Sequence, residues 1–226
     1  LSNPTISVVI YIKHKVLKIE VWFDVACPYC YIGLKHLEAA IKLYAGKRPN
    51  VVLRSFELEP EIAVDCGETQ YMTLMRQYKL SPLRARQTLD ALTNMGQMAG
   101  LKINFDKVIR TNTFDAHRLI HFAVKEGKGW EMTSRLFKAY FDEGKQIGSK
   151  KVLMALAAEP GSEAKRLIEN NLYAAEVRAD EHQAQRMCVS KVPFFLFEGK
   201  FSVTGAQPVG IFSELMNRLK AVDDKQ

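Results

Sequence analysis

Two cysteines separated by a Pro-Tyr dipeptide, Cys27-Pro28-Tyr29-Cys30, are the residues of this chain best suited to chemistry. A thiolate is a nucleophile, but a free thiol with a pKa of about 8.5 is mostly protonated at neutral pH. The surroundings of the pair favour ionisation. The apolar run Val21-Trp-Phe-Asp-Val-Ala reads as a strand leading into Cys27, and an amphipathic helix opens at once behind it. Unpaired N–H groups and the macrodipole at a helix N-terminus favour negative charge, so Cys27 is expected to ionise more readily than a free thiol. Pro28 suits the first helical position, where a missing N–H costs nothing. Cys30, one turn on, can reach back to resolve a disulfide formed on Cys27. The competing reading is half of a zinc site, which takes four ligands from two closely spaced pairs. The other two cysteines, Cys66 and Cys188, are single and far apart, so redox chemistry is favoured and no metal is expected.

Positioning such a pair takes a sheet and a helix. Leu17–Asp24 is β-branched or aromatic and reads as the first core strand. Ile32, Leu34, Leu37, Ile41 and Tyr44 recur at helical spacing, so the redox helix is expected to run to about Tyr44, closed by Gly46 and Pro49. Val51–Phe56 is a second strand, stopped by Glu59-Pro60. Strand, helix and strand at this spacing make a βαβ unit with a right-handed crossover. From Thr69 to Met187 the periodicity is helical, in segments near 69–78, 82–98, 113–126, 130–143, 150–158, 163–170 and 173–187. Ser81-Pro82 is a helix start signal, and Glu159-Pro160-Gly161 is a break. Strands then resume as Pro193–Phe197 and Lys200–Thr204, a hairpin around Glu198-Gly199. A final helix carries Phe212, Leu215, Met216 and Leu219. Thr5–Ile12 is either an edge strand or an extension that the core does not need. The expected organisation is an α/β unit over 17–65 and 188–222, an all-helical insertion over 66–187, and an N-terminal extension over 1–16.

With 226 residues, 47% hydrophobic and 25% charged, the composition is that of an ordinary globular protein. The net charge of +7 raises the question of nucleic acid. Lys and Arg are interleaved with Asp and Glu, however, without a basic block, which points to a solvated surface instead. No apolar run approaches the roughly 20 residues of a membrane helix. Ile6–Ile12 is short and its lysines follow it, the reverse of a secretory signal. A cytoplasmic, reducing location is therefore expected, without a structural disulfide framework, nucleic-acid partner or membrane.

Several segments, in order, carry a family likeness: Phe23-Asp24-x-x-Cys27-Pro28-Tyr29-Cys30-Tyr31-Ile32-Gly33, Asn112-Thr113-Phe-Asp-Ala-His117-Arg118-Leu119, Leu136-Phe-x-Ala-Tyr-Phe-x-Glu-Gly144, Val192-Pro193-x-Phe195 and Gly205-Ala206-Gln207-Pro208. Together they resemble the DsbA-like thioredoxin family, specifically its cytosolic FrnE-type branch, over nearly all of Leu17 to Leu219. The resemblance implies an α/β thioredoxin fold with a large all-helical insertion domain and the active site between the two. It implies a thiol–disulfide oxidoreductase or isomerase, with Cys27 and Cys30 catalytic, working through a mixed disulfide without a cofactor. Its substrates would be protein or small-molecule thiols and disulfides, with glutathione among the candidates. It also implies that Val192-Pro193 is a cis-proline loop, bringing the Val192 backbone beside the nucleophilic sulfur to pair with an extended substrate. From the residues alone, an ordinary trans proline at a strand start is preferred.

The remaining candidates carry two readings each. Asp24 either accepts a proton during thiol exchange or caps the strand end. Tyr29, unlike a histidine in that place, cannot be cationic, so a pair less oxidising than that of the periplasmic members is expected. Asn112 and His117 are substrate-cleft candidates, with an N-cap as the commoner use of Asn112-Thr113. His117 and His121 stand at metal-binding spacing, but no intervening Glu or third ligand accompanies them. Family members usually carry glycines where this chain has Cys188 and Lys191. Cys188 is a third thiol or, more commonly, a small buried hydrophobe; Cys66 reads as a bystander. The kappa-class glutathione-dependent isomerases and transferases, such as 2-hydroxychromene-2-carboxylate isomerase, share Asn112-Thr113 and the proline loop. They carry serine in place of Cys27 and an acidic–basic pair where this chain has Gly205-Ala206-Gln207, so that reading ranks second. A non-enzymatic binding module or chaperone ranks third.

Overall fold

The computed structural model of the chain describes residues 16–158 and 170–223. Thr5–Ile12, read as an edge strand or an extension, and most of the helix expected at 163–170 lie outside the described residues. In chain order the elements are β1 (Lys18–Phe23), α1 (Pro28–Leu43), β2 (Asn50–Ser55), α2 (Gln70–Arg76), α3 (Pro82–Met98), α4 (Phe114–Lys125), α5 (Gly129–Phe141), α6 (Lys150–Ala158), α7 (Ala174–Arg186), β3 (Phe194–Phe197), β4 (Phe201–Thr204) and α8 (Val209–Asp223). Each lies within a few residues of its expected position. No helix among the described residues is long and apolar enough to cross a membrane.

The strands form one sheet in the order β2-β1-β3-β4. β1 and β2 are parallel, which requires a crossover, and α1 supplies it. β3 runs antiparallel to β1, and β4 to β3. Between β3 and β4, Glu198 and Gly199 both take positive φ, 51° and 67°, as a two-residue primed turn demands. This is the expected thioredoxin arrangement, with helices α2–α7 set between β2 and β3.

β1 is central and buried on both faces, which is why it reads as a continuous apolar run. On one face Ile19, Val21, Leu53, Phe195 and Phe197 lie in register. Phe195 and Phe197 meet the Phe212 ring of α8 at 4.8 and 6.4 Å, and α8 packs on α1. On the other face Trp22 donates its indole N–H to the Asp180 carbonyl of α7 at 3.1 Å.

Beside Trp22 the sheet carries charge. Arg54 of β2 bridges Glu20 of β1 at 2.5 Å and Asp180 of α7 at 2.8 Å. The second Asp180 oxygen accepts the Ser55 amide at 2.9 Å and stands 3.1 Å from His121 Nε2 of α4. One carboxylate thus ties α7 to both β2 and α4. His121 is engaged here by Asp180 and Ser55, while His117, one turn earlier, faces Asp24 instead.

Burial alone would raise the Asp180 carboxyl, but the hydrogen bonds from His121, the Ser55 amide and Arg54 outweigh it and hold the group below its usual value. Glu20 is held down in the same way, by Lys18 and Arg54 against burial. A depressed carboxyl contributes stability that is present above its unfolded pKa of about 4 and is lost as pH falls through the folded value. Chemical denaturation should therefore show stability dropping below about pH 4. Asp180→Ala should cost about 3 kcal/mol at neutral pH and flatten that acid dependence.

Candidate active site

The cysteine pair sits where β1 hands over to α1. The turn between them is held by Asp24, whose Oδ1 accepts the Ala26 amide at 3.0 Å and whose Oδ2 accepts the Leu58 amide at 2.8 Å. Of its two expected roles, the capping one is therefore seen in the hydrogen bonds. The Cys27 amide donates to the Asp24 carbonyl, and Cys27 then becomes the N-cap of α1 with extended φ and ψ of −94° and 115°. Its Sγ accepts the Cys30 amide at 3.3 Å, while Pro28 occupies the first turn. The sulfur thus takes the place usually filled by a serine or aspartate oxygen.

Both cysteines are free thiols. Cys27 retains 4% of its surface, and Cys30 is fully buried beneath it. Burial first, then the hydrogen bond and charge of Cys27, push the Cys30 thiol well above its ordinary value. Tyr29, between them, is 44% exposed and faces solvent.

On the opposite side, the Cys27 thiol points at the Val192 carbonyl 3.9 Å away. The Val192–Pro193 peptide is cis, and the Pro193 carbonyl accepts the Gly205 amide at 2.8 Å. Gly33 of α1 makes this approach possible. A Cβ there would lie 2.9 Å from Pro193 Cγ and 3.3 Å from the Phe195 ring. The sheet end, the helix start and the proline loop therefore close on one sulfur.

The helical insertion supplies the wall behind Asp24. His117 of α4 is fully buried, edge-on to Phe23 at 5.7 Å, with Nε2 3.6 Å from Asp24 Oδ1. Neither of its ring nitrogens has a hydrogen-bond partner. It is thus an interface residue under the site rather than the lining of an open cleft. Asn112 serves the start of α4: its Oδ1 accepts the Phe114 amide at 2.9 Å, and its Nδ2 donates to the Pro60 carbonyl at 2.9 Å. Thr113, at the N-cap itself, makes no side-chain cap bond.

Glu57, just past β2, escaped the sequence reading. It is buried, with Oε1 accepting Arg178 of α7 at 2.7 Å and Oε2 3.4 Å from Asn112 Nδ2. Burial lifts its carboxyl to about 7, against the pull of His117 and Arg178 and with the push of Glu181. Its only sequence signal was an acid placed between Phe56 and Leu58 at a strand end.

Residues 18–217 match the profile of the DSBA-like thioredoxin domain. The chain belongs to this family. Among its relatives, the uncharacterised protein YwbO of Bacillus subtilis is 30% identical over 213 residues, covering 92% of this chain and 96% of that protein. Among solved structures, a probable DsbA oxidoreductase of Streptomyces coelicolor superposes with a TM-score of 0.83 at 30% identity, over 89% of each chain. 2-hydroxychromene-2-carboxylate isomerase superposes with a TM-score of 0.71 at 17% identity, over 92% of this chain and 98% of that one. The cytosolic disulfide reductase DsbM of Pseudomonas aeruginosa, solved with GSH, has a TM-score of 0.63 at 17% identity, over 90% of this chain and 99% of that one.

Two departures from the DsbA-like pattern are accounted for by position. Cys188 follows α7 with a φ of +55°, a conformation glycine adopts without strain, and its side chain is exposed. It is not the buried hydrophobe expected. Lys191 is also exposed and points to solvent. Cys66 donates its thiol to the Arg110 carbonyl at 3.1 Å, in a loop of the helical insertion. The Gly33 contact is directly testable. Gly33→Ala should destabilise the fold by about 1–3 kcal/mol through overpacking against Pro193, and it should slow thiol exchange at Cys27 more than denaturation alone explains.

Proposed function

We propose that this DsbA-like protein is a thiol–disulfide oxidoreductase or isomerase that works through a mixed disulfide on Cys27. The observation that carries the reading is the single sulfur at the α1 N-cap, accepting the Cys30 amide and facing the Val192 carbonyl. The N–H donated by the α1 start and the Val192 carbonyl on the other side fix where that sulfur stands. Cys27 Sγ attacks a substrate disulfide and releases one substrate thiolate. Cys30 then attacks Cys27 Sγ, closing the Cys27–Cys30 disulfide and releasing the second thiolate. The reverse sequence oxidises a substrate, and isomerisation uses the first half alone.

Pro28 and Tyr29 frame the thiol, while the Val192 and Pro193 backbone receives an extended substrate segment. Asp24, Asn112 and His117 hold the turn and the helical wall in register rather than binding substrate. The redox unit comprises 17–65 and 188–222 and the helical insertion 66–187, with α7 tying one to the other. The substrates are protein or small-molecule thiols and disulfides in the cytoplasm, as in the FrnE-type branch. Because DsbM was solved with GSH, glutathione is the small thiol to try first.

Insulin reduction and equilibration with glutathione test this. Cys27→Ser should reduce activity to background, whereas Cys30→Ser should accumulate a mixed disulfide on Cys27. With Tyr29 between the cysteines, the couple should equilibrate at a potential more reducing than the roughly −120 mV of DsbA. An oxidised pair that no thiol reagent reaches in the folded protein would instead support a binding module.

A further inference from the structure

Away from the redox pair, the far end of α1 borders a cavity of about 400 Å³. Small-molecule sites typically enclose roughly 300–1,000 Å³, are lined mostly by apolar and aromatic side chains with a few polar groups, and favour the seams between units. This cavity has each of those properties. Ile41 and Tyr44 come from the end of α1, Val51 from β2, and Trp130 from the first turn of α5 in the helical insertion. All four are only partly buried, packed on the core and also lining the cavity. Gly46 lets the Tyr44 ring lie close against the loop, since a Cβ there would fall 2.5 Å from the ring. A recess of about 90 Å³ adjoins the cavity at Glu38 and Trp130, which line both, and reaches Tyr31 and Phe137.

The charges around this space are unequal. Glu38 accepts Lys42 at 2.7 Å and Lys35 at 3.0 Å, so the one carboxylate is already matched twice. Arg48, in the loop between α1 and β2, is exposed, and none of the described residues hydrogen-bonds or ion-pairs with it. The surplus is positive, and it sits beside two aromatic rings. A guanidinium is a planar fork that matches a carboxylate through two parallel N–H bonds, and aromatic walls suit a flat ring. A cationic ligand would instead meet three basic groups against one engaged acid.

We propose that this cavity binds a small planar aromatic carboxylate, with the ring against Tyr44, Trp130, Ile41 and Val51 and the carboxylate at Arg48 on the rim. The site is separate from the thiol chemistry, and none of its residues takes part in the exchange on Cys27. It therefore stands or falls independently of the oxidoreductase reading.

Isothermal titration calorimetry of the full chain with 2-naphthoate and its uncharged counterpart 2-naphthylmethanol tests this. Naphthoate should bind one to one, about fivefold more tightly than the alcohol, as one charge pair at an exposed rim implies. Arg48→Gln should erase that difference by weakening naphthoate about fivefold while leaving the alcohol unchanged. Val51→Trp, on the edge strand β2, should fill the cavity and abolish binding of both. Arg48 stands in an exposed loop, so its variant carries the test if Val51→Trp does not fold. A full chain that takes up no naphthoate, or takes up both probes equally, overturns the proposal. So does naphthoate that binds Arg48→Gln as tightly as the unaltered chain, or that still binds folded Val51→Trp.

Discussion

A helix that starts inside a protein has amide groups that its own turns cannot satisfy. In this chain the first turn of α1 faces the sheet end, and the Cys27 sulfur accepts one of those amides. Most of the site follows from that bond. It holds the sulfur over Cys30, which is forced inward and loses contact with water. It leaves the far side of the sulfur to the Val192 carbonyl, so the proline loop must come close, and Gly33 removes the side chain that would hold it off. The same contact therefore caps a helix, pairs two thiols and shapes the approach to one of them.

The helical insertion is joined to the sheet by carboxylates rather than by apolar packing alone. On α4, His117 and His121 are one turn apart, and each meets a different carboxylate. His121 engages Asp180, which also binds the sheet through Arg54 and the Ser55 amide. His117 faces Asp24, which holds the active-site turn. One helix face is thereby fastened to the sheet at one residue and to the redox turn at the other. Movement of α4 would be felt at both places.

What was legible in the sequence was written locally. The strand into Cys27, Pro28 at the first helical position and Ser81 capping α3 ahead of Pro82 all depend on neighbours a few residues away. So does the Glu198-Gly199 turn. The parts that were not legible depend on partners far along the chain. Nothing near Glu57 announces that Arg178 and Asn112 will meet its two oxygens. His117 and His121 show a spacing but not which carboxylates will answer it. Asn112 read as a cleft candidate or, more commonly, a cap, and one of the partners its side chain takes, the Pro60 carbonyl, lies far from it in sequence. At Cys188 the left-handed backbone follows from where α7 ends, not from the residue itself. The likeness to DsbA-like proteins bridged part of this gap, because it stated long-range arrangements that periodicity cannot.

The contact between Cys27 and Val192 spans 165 residues of sequence. During synthesis at about 5–20 residues per second, both thiols emerge on the order of ten seconds or more before the segment that will shelter them exists. Closing so long a loop adds only modestly to the entropic cost, since that cost grows with the logarithm of length, but it cannot happen early. Until then the nascent chain displays two unshielded cysteines on a half-built sheet. The shelter of the Cys27 thiol is therefore among the last features of the site to form, complete only once Val192 and Pro193 have left the ribosome.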